Sequence, residues 1–162
     1  MTTTLFWVCL AIVFYTYLGY GIVLYLLVLV KRLFTKAKPQ ADIPDECLPA
    51  VTLMICAYNE EEIIKDKMKN TAQLDYPKDK LRLMWVTDGS TDSTNDLLAE
   101  YEDVKVVFSP ERRGKAAALK HGIKEVDTEI VIMTDANTMI NAEAIREIVR
   151  LMQDPKVGCV SG

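Results

Sequence analysis

The sequence predicts an α/β domain on a mainly parallel sheet, preceded by one membrane-spanning helix. Three observations carry this. Residues 5–30 form an apolar stretch without a single charge. From residue 50 onward, strand-like apolar runs alternate with helical periodicities. A short polar motif follows each of the first four runs: Ala57-Tyr58-Asn59-Glu60, Asp88-Gly89-Ser90-Thr91-Asp92, Arg112-Arg113-Gly114-Lys115 and Asp135-Ala136-Asn137. Alternating strands and helices imply a sheet covered on both faces. Right-handed crossovers restrict its topology to Rossmann-like arrangements.

As a helix, residues 5–30 would extend about 39 Å, enough to cross a hydrocarbon core of about 30 Å with some tilt. Phe6 and Trp7 near one end, and Tyr25 and Phe34 near the other, suit the two interfaces. The stretch is too long for the apolar core of a signal peptide. Lys31, Arg32, Lys36 and Lys38 follow it, while no charged side chain precedes it. By the positive-inside rule the amino end lies outside and the rest is cytoplasmic. The basic cluster can also touch anionic membrane lipids. Residues 1–34 thus read as an anchor. Residues 35–49, with Pro39, Pro44 and Pro49, read as a linker, and 50–162 as the domain.

Within the domain, 50–56 is an almost continuous apolar run, the pattern of a strand buried on both faces. A helix is expected over 60–73, with Asn59 as its cap and Glu62 completing a capping box. Strand 81–87, helix 93–101, strand 104–108 and helix 115–126 follow. Strand 129–134 precedes helix 142–152, whose Ile145, Ile148, Val149 and Met152 stand at core spacing. A fifth strand is expected to begin over 157–160, so the chain reads as ending inside an incomplete domain.

A net charge of −4 and a pI near 5.1 argue against a nucleic-acid partner. The four cysteines lack C-x-x-C spacing, and Cys9, Cys56 and Cys159 fall in the span or in expected strands. They read as free, buried thiols of a reducing compartment, with Cys56 in the core. His121 has no partner at metal-ligand spacing.

In a parallel sheet, the loops at the carboxyl ends of the strands meet in one crevice, where ligands bind. The four polar motifs therefore describe one site. Asp88 projects from a strand tip, where its carboxylate can accept from a base N–H or a ribose hydroxyl. Ser90 and Asp92 serve equally well as helix caps. Asp135 and Asn137 can share a divalent cation with phosphate oxygens, or form an Asx-turn. Arg112, Arg113 and Lys115 gather at a helix N-terminus that already carries a positive dipole, which favours a bound anion; a solvated surface cluster is the alternative. Tyr58 can pack against a base, whereas Glu60, Glu61 and Glu62 suit a first helical turn.

The ordered set Val51-Thr52, Tyr58-Asn59-Glu60-Glu61, Asp88-Gly89-Ser90-Thr91-Asp92, Arg113-Gly114-Lys115 with Ala118-Leu119, and Thr134-Asp135-Ala136-Asn137 resembles family 2 glycosyltransferases over about residues 49–162. These are inverting enzymes with the GT-A nucleotide-diphospho-sugar-binding fold. The resemblance implies that Tyr58 and Glu60 line the nucleotide pocket and that Asp88 recognises the base, usually uracil. It places Arg113 and Lys115 beside the diphosphate, and Asp135 on the nucleotide-sugar and its Mg²⁺ or Mn²⁺. Asn137 departs from the D-x-D pattern and would offer the metal an uncharged oxygen. The implied partners are a nucleotide-diphospho-sugar donor and a glycan or lipid-linked acceptor. The family's acidic general base and Q-x-x-R-W-type motif come later, so no residue up to Gly162 is assigned as catalytic. Glu102-Asp103 comes too early to be that base. A sugar-nucleotidyltransferase would carry a glycine-rich basic loop after the first strand, where this chain has Ala57-Tyr58-Asn59-Glu60. A non-catalytic, membrane-anchored module that binds a nucleotide sugar is the other alternative.

Overall fold

The computed structural model describes residues 2–34 and 42–162, which belong to two compact units. The first unit is a continuous helix, Thr2–Phe34, long and apolar enough to cross a membrane. It comprises α1 (Thr2–Phe14), a π-helical turn at Tyr15–Gly19 and α2 (Tyr20–Phe34). None of its residues is buried, and most of its surface is apolar. Thr16 Oγ1 returns a hydrogen bond to the Ile12 carbonyl at 2.8 Å, satisfying its hydroxyl within the helix. Lys31 and Arg32 occupy the last turn. Lys36 and Lys38 lie outside the described residues, as do 35–41 of the expected linker.

The second unit is a four-stranded parallel sheet in the order β3-β2-β1-β4, built from β1 (Val51–Ala57), β2 (Leu81–Asp88), β3 (Val104–Ser109) and β4 (Ile130–Asp135). The helices between them are α3 (Ile64–Ala72), α4 (Thr94–Ala99) and α5 (Lys115–Ile123), and α6 (Ala144–Met152) follows β4. The period-2 alternation of β1 separates two cores. Leu53 and Ile55 join Trp85, Ile64, Leu98, Ile145 and Val149 on one face, where α3, α4 and α6 pack. Met54 joins Met84, Val86, Val107 and Ala118 of α5 on the other. Burial of β1 on both faces explains why its sequence is apolar but for Thr52, whose buried hydroxyl is paired with that of Thr128 at 2.8 Å.

Chain order runs outward from β1 to β3, then returns to the opposite side of β1 for β4. This reversal makes a switch point, where neighbouring strand exits diverge and leave a crevice. Register brings the polar exits together there: Cys56 pairs with Asp135 and Ala57 with Thr87, while Asp88 pairs with Ser109.

Five expectations need correction. The helix expected from Glu60 begins at Ile64, after a turn closed by Ile63 N–H to the Glu60 carbonyl at 3.0 Å. Asn59 is not its cap but adopts φ +53°, because its side chain is committed to the neighbouring loop. Residues 157–160 form no strand; the one hydrogen-bonded neighbour of β4 among the described residues is β1. Part of the expected linker belongs to the domain. Leu48 is buried, and Lys80 Nζ donates to the carbonyls of Asp45, Glu46 and Leu48 at 2.8–2.9 Å, fixing the 3₁₀ turn Asp45–Cys47. Tyr76 adds a hydrogen bond from its hydroxyl to the Pro49 carbonyl at 2.6 Å. Finally, all four cysteines are free, but Cys9, Cys47 and Cys159 are exposed and only Cys56 is partly buried.

Candidate active site at the strand exits

Tyr58, Glu60, Asp88, Lys115, Asp135 and Asn137 line one cleft of about 230 Å³ at the carboxyl ends of β1, β2 and β4. A larger cleft of about 960 Å³ opens at the starts of β2 and β3 and contains none of the four polar motifs. Glu102 and Asp103 line that distant cleft, away from the strand exits.

Two loops of the site are laced to each other. Asn59 N–H donates to Ser90 Oγ at 3.1 Å, and the Asn59 side chain accepts from Thr91 N–H at 2.8 Å. Glu60 N–H donates to Thr94 Oγ1 at 2.9 Å and Glu61 N–H to Asp92 Oδ2 at 3.2 Å. The Glu61 carboxylate in turn accepts from Ser93 N–H at 2.8 Å. Asp92 Oδ1 also accepts from Thr94 N–H, and these bonds hold its carboxyl below the ordinary value despite the opposing effect of burial. Ser90, Thr91 and Asp92 therefore spend their side chains on the loop framework. Asp92 is not the cap of α4, a position Ser93 holds; its carboxylate bridges Thr94 N–H at the start of that helix and Glu61 N–H of the loop after β1.

Asp88 is 5% exposed and performs a similar task on the other side. Its Oδ1 accepts Arg113 N–H at 2.9 Å and its Oδ2 accepts Gly114 N–H at 2.6 Å. The loop can approach this closely because residue 89 has no side chain: a Cβ there would stand 2.5 Å from Arg112 N, and its φ is +68°. Gly114 precedes α5 with φ 89° and ψ 159°, a region nearly closed to other residues. An anion is thus built into the start of α5, where orphan N–H groups and the helix dipole favour one.

The cations separate by direction. Lys115 reaches across the cleft and pairs with Asp135 Oδ1 at 2.6 Å, which raises the lysine above its ordinary value. Arg112 lies over the Tyr58 ring, its guanidinium carbon 3.8 Å from the ring centre. That cation–π contact occupies one face of the aromatic expected to meet a base. Arg113 contributes its backbone to the site, but its side chain pairs with Glu111 at 3.2 Å and does not line the cleft. Arg112 does line it, and nothing in the local sequence distinguishes the two arginines. Cys56 is half-buried: it packs against the core on the α5 side, as expected, and also lines the cleft; burial chiefly pushes its thiol up, with Lys115 opposing.

Two further residues support the site. Lys67 on α3 is fully buried, and its ammonium donates to the Thr138 carbonyl and, at 3.5 Å, to Thr134 Oγ1. Burial lowers its affinity for a proton, and the nearby Asp135 charge raises it. Asn70, one turn on, donates to the Ile140 carbonyl at 2.9 Å and accepts Ile140 N–H at 3.0 Å. The signal for Lys67 was its position: it stands between Ile64 and Thr71 at core spacing, where an apolar side chain is the norm.

Asp135 and Asn137 present a carboxylate and an amide oxygen from one turn. No group of three or more His, Cys, Asp or Glu able to hold a metal occurs among the described residues. Such a donor set suits Mg²⁺ or Mn²⁺ shared with phosphate oxygens, not an ion held by protein alone.

Comparison with known proteins bears on this arrangement. The family described as "Glycosyl transferase family 2" matches residues 52–162. The poly-beta-1,6-N-acetyl-D-glucosamine synthase of Staphylococcus aureus strain COL is 34% identical over 129 residues, which are 77% of this chain and 30% of that protein. Among solved structures, a mannosyltransferase from Pyrobaculum calidifontis in complex with GDP-Man and Mn²⁺ superposes with a TM-score of 0.71 at 33% identity, covering 88% of this chain and 44% of that one. Staphylococcus aureus TarS 1–349 in complex with UDP-GlcNAc gives a TM-score of 0.60 at 23% identity over 65% of this chain, a likeness of fold alone. The chain spans about 30% of the length of the curated relatives it matches.

Proposed function

The chain belongs to glycosyltransferase family 2, and from that premise we propose that it supplies the donor-binding wall of an inverting sugar transferase at a membrane. The observation that carries this is the meeting of Tyr58, Asp88, Lys115, Asp135 and Asn137 in one cleft at the switch point of a parallel sheet. The donor is a nucleotide-diphospho-sugar. A uridine diphosphate group is what the family resemblance of Asp88 implies; the mannosyltransferase from Pyrobaculum calidifontis carries GDP-Man, so a guanosine diphosphate group is the alternative. The acceptor is a growing glycan or a lipid-linked sugar. Lys31 and Arg32 at the end of the apolar helix favour a cytosolic domain with the amino end outside.

The cleft volume of about 230 Å³ suits a diphosphate better than a whole nucleotide sugar, since small-ligand pockets usually measure about 300–1,000 Å³. The diphosphate lies between Lys115 and the first turn of α5, where N–H groups without intrahelical partners point outward. Arg112 is the second cation of the cleft, and Arg113 acts through its backbone. The base stacks on the Arg112–Tyr58 pair, and Asp88 accepts from it with the lone pairs its two backbone bonds leave free. Glu60 borders the same pocket. Asp135 and Asn137 would hold Mg²⁺ or Mn²⁺, which when bound supplies Lewis-acid stabilisation to the leaving diphosphate.

In the transfer, an acceptor hydroxyl oxygen attacks the anomeric carbon as the bond from that carbon to the phosphate oxygen breaks. The departing nucleoside diphosphate takes the bonding electrons, and the hydroxyl proton passes to a base. A single in-line displacement inverts the anomeric centre. Lys115 gives up its bond to Asp135 and turns to the diphosphate as negative charge accumulates there.

Calorimetric titration of the full-length protein with UDP and with GDP, in Mn²⁺ and in EDTA, tests the reading. Metal-dependent UDP binding that Asp135→Ala abolishes is expected. Undiminished binding in both Asp135→Ala and Asp88→Ala would overturn the site.

A further inference from the structure

Between Asp135 and α6 the chain passes through residues 138–140, which are neither helix nor strand. A segment of this kind keeps its shape only through side-chain bonds and packing. Here those bonds come from one face of α3. Lys67 donates to the Thr138 carbonyl, and Asn70 closes both hydrogen-bonding groups of Ile140 at 2.9 and 3.0 Å. The turn itself adds Thr138 N–H to the Asp135 carbonyl at 3.3 Å.

The choice of lysine is costly. A cation with no exposed surface pays a desolvation penalty that an apolar side chain of similar length would avoid. Its recorded acceptors, Thr134 and Thr138, flank the Asp135-Ala136-Asn137 turn on either side. Ala136, at the centre of that turn, is buried against the domain core. Asp135 and Asn137 can therefore leave the protein only in the direction the anchored turn allows. Sharing one ion between two side chains demands placement to within about 0.5 Å.

We propose that Lys67 and Asn70 are positioning residues for the nucleotide-metal site: from one face of α3 they pin residues 138–140, and so hold Asp135 and Asn137 where both reach a single divalent ion. This rests on the donor-binding reading above. Neither residue touches the ligand. Their effect is on how tightly the metal is held, in the way outer-shell partners tune metal ligands generally.

The test uses the full-length protein in lipid nanodiscs, as wild type, Lys67→Met and Asn70→Ala. UDP binding is titrated calorimetrically over a range of Mn²⁺ concentrations up to saturation, and free Mn²⁺ is followed by its paramagnetic resonance signal. Each variant should need about ten- to a hundredfold more Mn²⁺ for half-maximal binding, with its UDP affinity at saturating Mn²⁺ equal to wild type. A loss of UDP affinity that saturating Mn²⁺ does not restore would show a merely structural role and overturn the inference, as would a wild-type Mn²⁺ midpoint in both variants. Should Lys67→Met fail to fold, Asn70→Ala decides, because it removes no charge and leaves the apolar face of α3 intact. If the wild type binds neither UDP nor GDP, the donor-binding reading falls and takes this inference with it.

Discussion

Replacing Asp88 by alanine should release the loop that leads into α5, before any ligand is considered. The carboxylate accepts two backbone N–H groups, from Arg113 at 2.9 Å and Gly114 at 2.6 Å, and is itself 5% exposed. A hydrogen bond to a charged partner contributes about 1.5–3 kcal/mol. Arg113 and Gly114 are exposed, so their freed N–H groups can find water and the lower figure applies. Two such bonds amount to about 3 kcal/mol, or roughly a hundredfold in the opening equilibrium of the loop at about 1.4 kcal/mol per tenfold. Amide hydrogen exchange across residues 110–116 reads this directly, without nucleotide or metal. Asp88→Asn keeps one acceptor and opposes an NH₂ to the second N–H, so it should fall between wild type and alanine. The result that refutes the reasoning is unchanged exchange in Asp88→Ala together with lost UDP binding. Asp88 would then act on the ligand alone, and the loop would owe its shape to something else.

Other outcomes follow from the same geometry. Gly89→Ala should destabilise the domain more than Gly114→Ala: both residues have positive φ, costing about 1–3 kcal/mol, but only at Gly89 does the new Cβ meet backbone, 2.5 Å from Arg112 N. Urea midpoints of the two variants give the comparison. Lys115→Met should leave the melting temperature where it was, because its ion pair with Asp135 is open to solvent on both sides, while UDP affinity falls at least about tenfold. Burial pushes the Tyr76 hydroxyl up to about 12, with Arg146 opposing. Its folded value therefore exceeds the unfolded one near 10. The contribution is complete below pH 10 and is lost between pH 10 and 12 at roughly 1.4 kcal/mol per unit. The difference in unfolding free energy between wild type and Tyr76→Phe, measured across that range, should shrink by this amount and stay flat below pH 10.

Much of the fold was legible because it rests on short-range periodicity. The apolar run of β1 declared a strand covered on both faces, and the cores on either side bear that out. Each of the four strands lies within one residue of its expected limits. Helix starts were harder. Asn59-Glu60-Glu61-Glu62 has the composition of a capping box, yet its hydrogen bonds go to residues 90–94, far away in sequence. Local preference lost there to a loop that offered more partners. The expected strand at 157–160 failed for a related reason: four residues with strand-like composition need a neighbour, and none pairs with them among the described residues.

The sequence alone determined that polar residues stand at successive exits of parallel strands, since both the strand pattern and the motifs are local. Alternation of strand and helix then sends those exits to one end of the sheet. Only the tertiary structure decided what each polar residue touches. It turned Arg112 toward Tyr58 and the cleft, and Arg113 toward Glu111. It also spent Ser90, Thr91 and Asp92 on the framework and set Lys67 beneath the Asp135 turn. Apart from the local Arg113–Glu111 and Asp92–Thr94 contacts, those outcomes depend on strand order and register, because a side chain bonds to whichever group the fold brings within about 3 Å, and neighbours 25 to 71 residues apart leave no trace in local composition.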